Sequence, residues 1–373
     1  MNVCIVGWYG TETLGDRAIL DGIFEILHEV DCNLMVELGS LYPFFSERTI
    51  FEDRNAFLDS APKIKINIFN TKDEMIYKKR IKDADVVIMG GGPLMDLEEL
   101  FLIKKGFKYA KSIGIPCVLM GCGIGPLKKE KYKNIVEDII SCADAIWLRD
   151  YFSMELLNMT NKSRAKVLGD PAIVSVEKFK RKNTPNKKNY ALVNLRNCKI
   201  DEYIETCNVS DQLFIKSLEY LSNKFEEILL VPMHTFGIGG DDRYILSKLT
   251  MALKKNNIDN VNVVHEPIDL YGMYELVLNA KATIGMRYHS VVFQTILNGN
   301  NFIFNYTGSK NGKIKGFLNM YDKENFYGNR VWNMQDEYKM DKLRCLVDEE
   351  YFDYQYSSIK ENYIYSMKMV MKR

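Results

Sequence analysis

The sequence predicts an α/β fold of two doubly wound lobes facing a central cleft, with C-terminal helices packing across the lobes. Three observations predict it. Short apolar runs alternate with helix-period segments through the first half of the chain, a basic polar stretch interrupts that alternation, and the alternation then restarts. At 373 residues the chain also exceeds what one hydrophobic core ordinarily holds, so two domains are expected.

The first-lobe runs are Val3 to Gly7, Leu34 to Leu38, Lys63 to Phe69, Asp85 to Met89, Cys117 to Met120, Ala145 to Leu148 and Lys166 to Leu168. Several are apolar at both odd and even positions, as suits parallel strands covered by helices on both faces. Between Val176 and Asn189 the sequence VEKFKRKNTPNKKN is basic, polar and interrupted by proline, and reads as an interdomain linker. The second set of runs is Tyr190 to Leu195, Ile228 to Pro232, Asn262 to His265, Thr283 to Met286 and Phe302 to Asn305. From about Asp336 to Arg373, apolar and aromatic residues recur at helical spacing. The expected division is a Rossmann-like N-terminal lobe over 1–178, a Rossmann-like C-terminal lobe over 189–335 and a helical segment over 336–373.

With 47% hydrophobic and 27% charged residues, the composition is globular, neither disordered nor fibrous. Lysine plus arginine balances aspartate plus glutamate at 50 against 49, so no global field draws the chain to nucleic acid. Anion specificity must therefore be local. The eight cysteines form no C-x-x-C pair and read as free thiols. Met1 leads straight into a strand-like run without a secretory leader, and no apolar run reaches the length of a membrane helix, so a cytoplasmic location is expected.

The chemistry concentrates where strands end. The first strand leads into GWYGTETLGDRAIL, whose Gly7, Gly10 and Gly15 loosen the backbone before a helix near Asp16 and Arg17. Its spacing is not the G-x-G-x-x-G of a dinucleotide site; it reads as a strand-to-helix turn with Asp16 as N-cap, or as a substrate-contacting loop. Two further strands end in glycine clusters, Gly90 to Gly92 before Pro93, and Gly121, Gly123 and Gly125 before Pro126. Amides exposed in such turns form anion-binding concavities, and neither cluster has the P-loop spacing. Arg149 with Asp150, and Gly169 with Asp170, end two more strands, where ion pairs and helix caps are the alternative reading.

In the second lobe, Arg196, His234, His265, Arg287 and His289 all fall at strand ends. Arginine grips carboxylate and phosphate bidentately, so this concentration suits a multiply charged anion. Tyr288 and Ser290 open the next helix, whose amino end adds its own preference for anions. The histidines lack H-x-x-x-H spacing and a completing cluster, so no metal is expected.

The motif order GWYG…LGD, GGGPL, GCGIGP, RD followed by Ser153, GDPA and MRYHS resembles the polysaccharide pyruvyl transferase family over about residues 1 to 310. The resemblance implies a GT-B-like fold, phosphoenolpyruvate as co-substrate with no other cofactor, and a sugar or lipid-linked glycan as acceptor. The product implied is a pyruvate ketal on a cell-surface polysaccharide or its precursor, with release of phosphate. The family's Arg-x-His element falls on Arg287 and His289 as the catalytic pair, and its strand-end arginine on Arg196. His234 and Ser290 join Arg196 and Arg287 on the donor side. Gly10, Thr13, Gly15, Asp16, Gly91, Gly92, Gly123, Gly125, Arg149 and Asp170 are the acceptor or loop residues. Thr13 replaces the family's asparagine, and Phe293 with Gln294 replaces a smaller residue; both departures bear on acceptor choice and first-loop placement.

Two rival readings accompany this one. A glycosyltransferase of the same fold would use a nucleotide sugar, with Glu266 at the ribose. A non-catalytic glycan-binding member would present the late tyrosines Tyr351, Tyr354, Tyr356, Tyr363 and Tyr365, for which core packing is the commoner role. The C-terminal YSMKMVMKR, apolar and basic, is the candidate for peripheral membrane contact, against the alternative of a frayed helix end.

Overall fold

A computed structural model of the chain describes residues 1–11, 13–197, 211–237, 240–308 and 312–372. Among these residues, fourteen strands form two parallel sheets: β1 Asn2–Val6, β2 Met35–Ser40, β3 Lys65–Asn70, β4 Val86–Gly90, β5 Pro93–Leu94, β6 Cys117–Ile124, β7 Ala145–Leu148, β8 Ala165–Val167, β9 Lys188–Val193, β10 Glu227–Leu230, β11 Val261–Val263, β12 Ala280–Gly285, β13 Asn301–Asn305 and β14 Val331–Asn333. The first sheet runs β3-β2-β1-β4-β6-β7-β8, with β5 paired to β6; the second runs β11-β10-β9-β12-β13-β14. In each, the chain adds strands to one side of its first strand and then reverses to the other. The reversal lies between β1 and β4 in the first sheet and between β9 and β12 in the second, and ligands of open α/β sheets bind at the carboxyl ends of strands beside such a point.

The apolar runs account for these sheets. Val3 to Val6 are completely buried, as both-face coverage by helices requires. The helix Glu130–Cys142 supplies part of that cover with Tyr132, Ile135, Val136, Ile139 and Ile140 buried along one stripe. Edge strand β3 is half-exposed and carries Lys65, Asn67 and Asn70. Two strands were not anticipated, β5 and β14, because two or three residues carry no readable periodicity.

The chain separates into two units. One comprises Met1–Glu12, Asp16–Ser175 and Ser357–Arg373; the other comprises Thr13–Gly15 and Val176–Tyr356. The first half of the stretch read as a linker, Val176 to Lys182, is helical, which corrects that expectation in part: the helix Ala172–Lys182 buries Ile173, Val174, Val176 and Phe179, and residues 183–187 connect it to β9. Its basic residues Lys180, Arg181 and Lys182 occupy the last turn, where cations complement the carbonyl end of the helix dipole. The expected helical segment over 336–373 also divides. Met340–Leu346 is a 3₁₀ helix of the second unit, whereas the helix Ile359–Met371 belongs to the first. Tyr363 of that helix is buried, packs edge-on to Trp147 and donates to the Gly169 carbonyl at 2.7 Å, so the C-terminal helix is docked rather than frayed. Tyr354 is also buried and donates to Glu177 at 2.7 Å, while Tyr351, Tyr356 and Tyr365 are exposed.

Candidate functional site

In the second unit, the loops that leave β9, β10 and β12 are tied together by Asn194 and Asp242. Asn194 is buried; its amide nitrogen donates to the Val231 carbonyl at 3.0 Å, and its amide oxygen accepts the Arg287 backbone N–H at 3.1 Å. Asp242, only 1% exposed, accepts the backbone N–H groups of Met233 and His234 at 3.0 and 3.1 Å. The same carboxylate receives Arg287 bidentately, through Nε at 2.8 and 2.9 Å and Nη2 at 2.7 Å. Nη2 also donates to the Gly240 carbonyl at 3.0 Å. A buried charge needs this full set of donors to offset its desolvation. The arrangement sharpens the expectation for Arg287: one edge of its fork is committed to Asp242, which fixes the orientation of the guanidinium.

His289 is half-buried in the first turn of the helix Tyr288–Leu297, its ring edge-on to Tyr288 at 4.9 Å. It lies against Gly15 so closely that a Cβ there would stand 1.9 Å from Nδ1. Thr13 forms an isolated antiparallel bridge with His234, and the Leu14 N–H donates to the Met233 carbonyl at 3.1 Å. Thr13 and Gly15, expected in the loop of the first lobe, thus belong to the second unit and meet its histidines. Ser290 departs from the donor-binding expectation: it is buried, and its hydroxyl accepts from Gln294 at 2.9 Å, because this position of the helix faces the core. His265 and Glu266 are exposed beyond edge strand β11.

Arg196 follows β9, and its guanidinium lies 4.7 Å from the centre of the Tyr306 ring. Tyr306 follows β13 and is 2% exposed. Lys313, the first residue of the helix Lys313–Tyr321, places its ammonium 5.3 Å from the same ring and hydrogen-bonds the phenol oxygen. Burial pushes the Tyr306 phenol up, but Lys313, Arg196 and Arg287 together outweigh it and hold the group below its ordinary value. Arg196, Arg287 and Lys313 therefore act on one phenol beside the reversal point of the sheet. Asp242, Tyr306 and Lys313 escaped the sequence reading. For Tyr306 and Lys313 a signal existed, since NYTGSKNGK leaves a strand as the arginine-bearing segments do.

The first unit holds most of the expected acceptor and loop residues at its own strand ends. Gly91 and Gly92 adopt φ of +65° and +73°, the left-handed region that favours glycine. The space beside them is filled by Ile19 and by the Trp8 indole, and that beside Gly123 by the Arg149 guanidinium. On their Cβ side these glycines admit the protein's own side chains, and Gly91, Gly123 and Gly125 donate their N–H groups to the carbonyls of Met120, Gly92 and Leu94 at 2.8, 3.0 and 2.8 Å, so these three amides are engaged within the sheet and not open to an anion. Gly10 packs against Ser40 and Tyr42, and Gly125 near Leu156. Arg149 is buried and donates to Asp150 at 3.1 Å; Asp150 caps the helix Tyr151–Glu155 through the Ser153 N–H at 2.7 Å. Asp170 is buried and accepts the Ala172 N–H at 3.0 Å. Asp16 lies inside the first turn of the helix Leu14–His28 instead of capping it, since the helix starts earlier than expected. Burial first, and then the charge of Asp16, push the Tyr9 phenol up.

Residues 14–308 match the sequence profile of the family described as polysaccharide pyruvyl transferase. The chain belongs to the polysaccharide pyruvyl transferase family. The range that matches this pyruvyl transferase family takes in Arg196, His234, Asp242, Arg287, His289 and Tyr306. A curated relative, the amylovoran biosynthesis protein AmsJ of Erwinia amylovora, is 23% identical over 197 residues, which cover 45% of this chain and 47% of AmsJ. The chain thus matches about half the length of that relative. Among solved structures, the UDP-GlcNAc 2-epimerase of Methanocaldococcus jannaschii is similar at a TM-score of 0.65 and 11% identity, covering 99% of this chain and 100% of the epimerase. MnaA of S. aureus in a UDP co-structure gives 0.56 at 14% identity, covering 100% and 97%. A glycosyltransferase of Rickettsia africae ESF-5 gives 0.52 at 10% identity, covering 100% and 93%. These likenesses show the fold, the two-sheet α/β architecture of GT-B glycosyltransferases and epimerases.

Proposed function

We propose that this chain transfers the enolpyruvyl group of phosphoenolpyruvate to a hydroxyl pair of a sugar, in a cell-surface polysaccharide or its lipid-linked precursor, and closes a pyruvate ketal. The observation that carries this reading is the gathering of Arg196 and Arg287, from the two strands that flank the reversal of the second sheet, with Lys313 around the Tyr306 phenol; Arg287 stands two positions before His289 in the chain. Phosphoenolpyruvate brings a carboxylate and a phosphate, and guanidinium groups suit both. Family membership supports the reaction class, and the name of the Erwinia relative supports a polysaccharide product.

In this reading Arg196, Lys313 and the outer edge of Arg287 hold the two anionic groups, and Asp242 keeps Arg287 in orientation. His289 serves as general acid or base. The enol carbon gains a proton, the first hydroxyl adds to the neighbouring carbon, and the bond from that carbon to the phosphate oxygen breaks. The second hydroxyl then closes the ring. Of the two hydroxyl protons, one is balanced by the new methyl group and the other leaves with phosphate. No described helix is long and apolar enough to cross a membrane. The proposed place of work is the cytoplasm, where a lipid-linked acceptor would be met at the inner membrane face.

The test is incubation with phosphoenolpyruvate and a panel of sugar acceptors, following phosphate release and the mass gained by the acceptor. Phosphate release with a pyruvate mass gain is expected, and His289→Ala should lower turnover by about 10²- to 10⁴-fold with the fold intact. Glycosyl transfer from a nucleotide sugar, without turnover of phosphoenolpyruvate, would overturn the reading in favour of a glycosyltransferase.

A further inference from the structure

We propose that Tyr306 is the positioning residue of this anion site: its hydroxyl oxygen holds the Lys313 ammonium while its ring face carries the Arg196 guanidinium. The proposal rests on the donor reading above and assigns a task to a residue outside the Arg-x-His element. A buried tyrosine hydroxyl ordinarily finds a partner, and here the partner is an ammonium, which only donates; the phenol oxygen therefore accepts. The guanidinium sits 4.7 Å and the ammonium 5.3 Å from the ring centre, both within the range of cation–π attraction. Lysine and arginine lose much rotamer freedom on binding an anion, and a site that has already ordered them binds more tightly.

The same contacts make the site sensitive to pH. The charged groups bearing on Tyr306 are Lys313 at the start of its helix, Arg196 after β9 and Arg287 after β12, and all favour the phenolate. Once ionised, Tyr306 pairs with Lys313 as a resident anion and competes with the donor. Anion binding is therefore strong below the pKa of Tyr306 and weakens as pH rises through it, and a bound anion in turn raises that pKa.

Calorimetry of the full chain with phosphoenolpyruvate, and separately with inorganic phosphate, tests this in wild type and Tyr306→Phe across neutral to alkaline pH. The phenylalanine variant keeps the ring and loses the hydroxyl. Weakening of anion binding by about tenfold at neutral pH is expected, together with loss of the alkaline decline that wild type shows below about pH 10. Wild-type affinity with an unmoved alkaline limb would overturn the proposal, since a merely structural tyrosine would leave that limb in place. Lys313→Met, at a half-buried helix start, provides a second arm: the Tyr306 Cζ resonance should then titrate at higher pH, and an unchanged titration would break the Tyr306–Lys313 link. Tyr306-dependent binding of inorganic phosphate without binding of phosphoenolpyruvate would support the Tyr306 assignment and sink the pyruvyl transfer reading. Absence of anion binding by the wild-type chain would overturn both.

Discussion

At Gly15 a single methyl group decides whether His289 keeps its place. Alanine is the better helix former by about 1 kcal/mol, and Gly15 lies inside a helix. Against that stands a Cβ only 1.9 Å from the imidazole, a collision that the ring must relieve by moving. Overpacking of this kind costs about 1–3 kcal/mol, so the net loss of stability stays within about 2 kcal/mol while the histidine is displaced. Gly15→Ala should therefore lower turnover with a loss of at most about 2 kcal/mol in unfolding free energy, and imidazole resonances should report the displaced ring. Asp242 presents the opposite balance. Asp242→Ala leaves Arg287, with 18% of its side chain exposed, without its carboxylate, and strips the acceptor from two backbone N–H groups. A loss of about 3–5 kcal/mol is expected, measurable by urea unfolding. Arg287 was legible in the sequence because it ends a strand; Asp242 was not, because 45 residues separate the pair and only folding brings them together.

At the scale of elements, the capping chemistry was legible and the partnerships were not. Asp150 reads from sequence as an ion-pair or cap residue, and it is both. Its carboxylate accepts from the Ser153 N–H and hydroxyl, and from the buried Arg149, whose guanidinium fills the space beside Gly123. Ser153 in turn accepts the Ile124 N–H at 2.9 Å, fastening the end of β6. Asp150→Ala removes a cap worth about 1 kcal/mol together with one charged partner of the buried Arg149, so a loss of about 1–3 kcal/mol is expected in denaturant unfolding. A loss confined to the cap value would show that the Arg149–Asp150 pair adds nothing to stability beyond the cap. The helix Ala172–Lys182 was hidden for a different reason. Its apolar stripe begins before the charged stretch, and VEKFKRK alone shows mostly its polar face.

At the scale of the whole molecule, the chain ends in the unit where it began, and this has a measurable consequence. The helix Ile359–Met371 buries Ile359, Tyr363 and Met367 in the first unit, and Lys360 reaches Glu25 and Glu29. At roughly 1.5–3 kcal/mol for each buried apolar side chain, ending the chain at Tyr356 should cost on the order of 5 kcal/mol. A lower thermal transition is expected, and an unchanged one would mean that the helix is dispensable. The sequence by itself determined the α/β class, most of the strands and the strand-end positions of Arg196, Arg287 and His289. These follow from periodicity and from residue type, which are properties of short stretches. Only the tertiary structure decided that the glycine turns are filled by side chains, that Thr13 and Gly15 meet the histidines of the second unit, and that Asp242, Tyr306 and Lys313 complete the arginine site. Those are matters of which distant residues share a volume, and packing settles them where spacing along the chain does not.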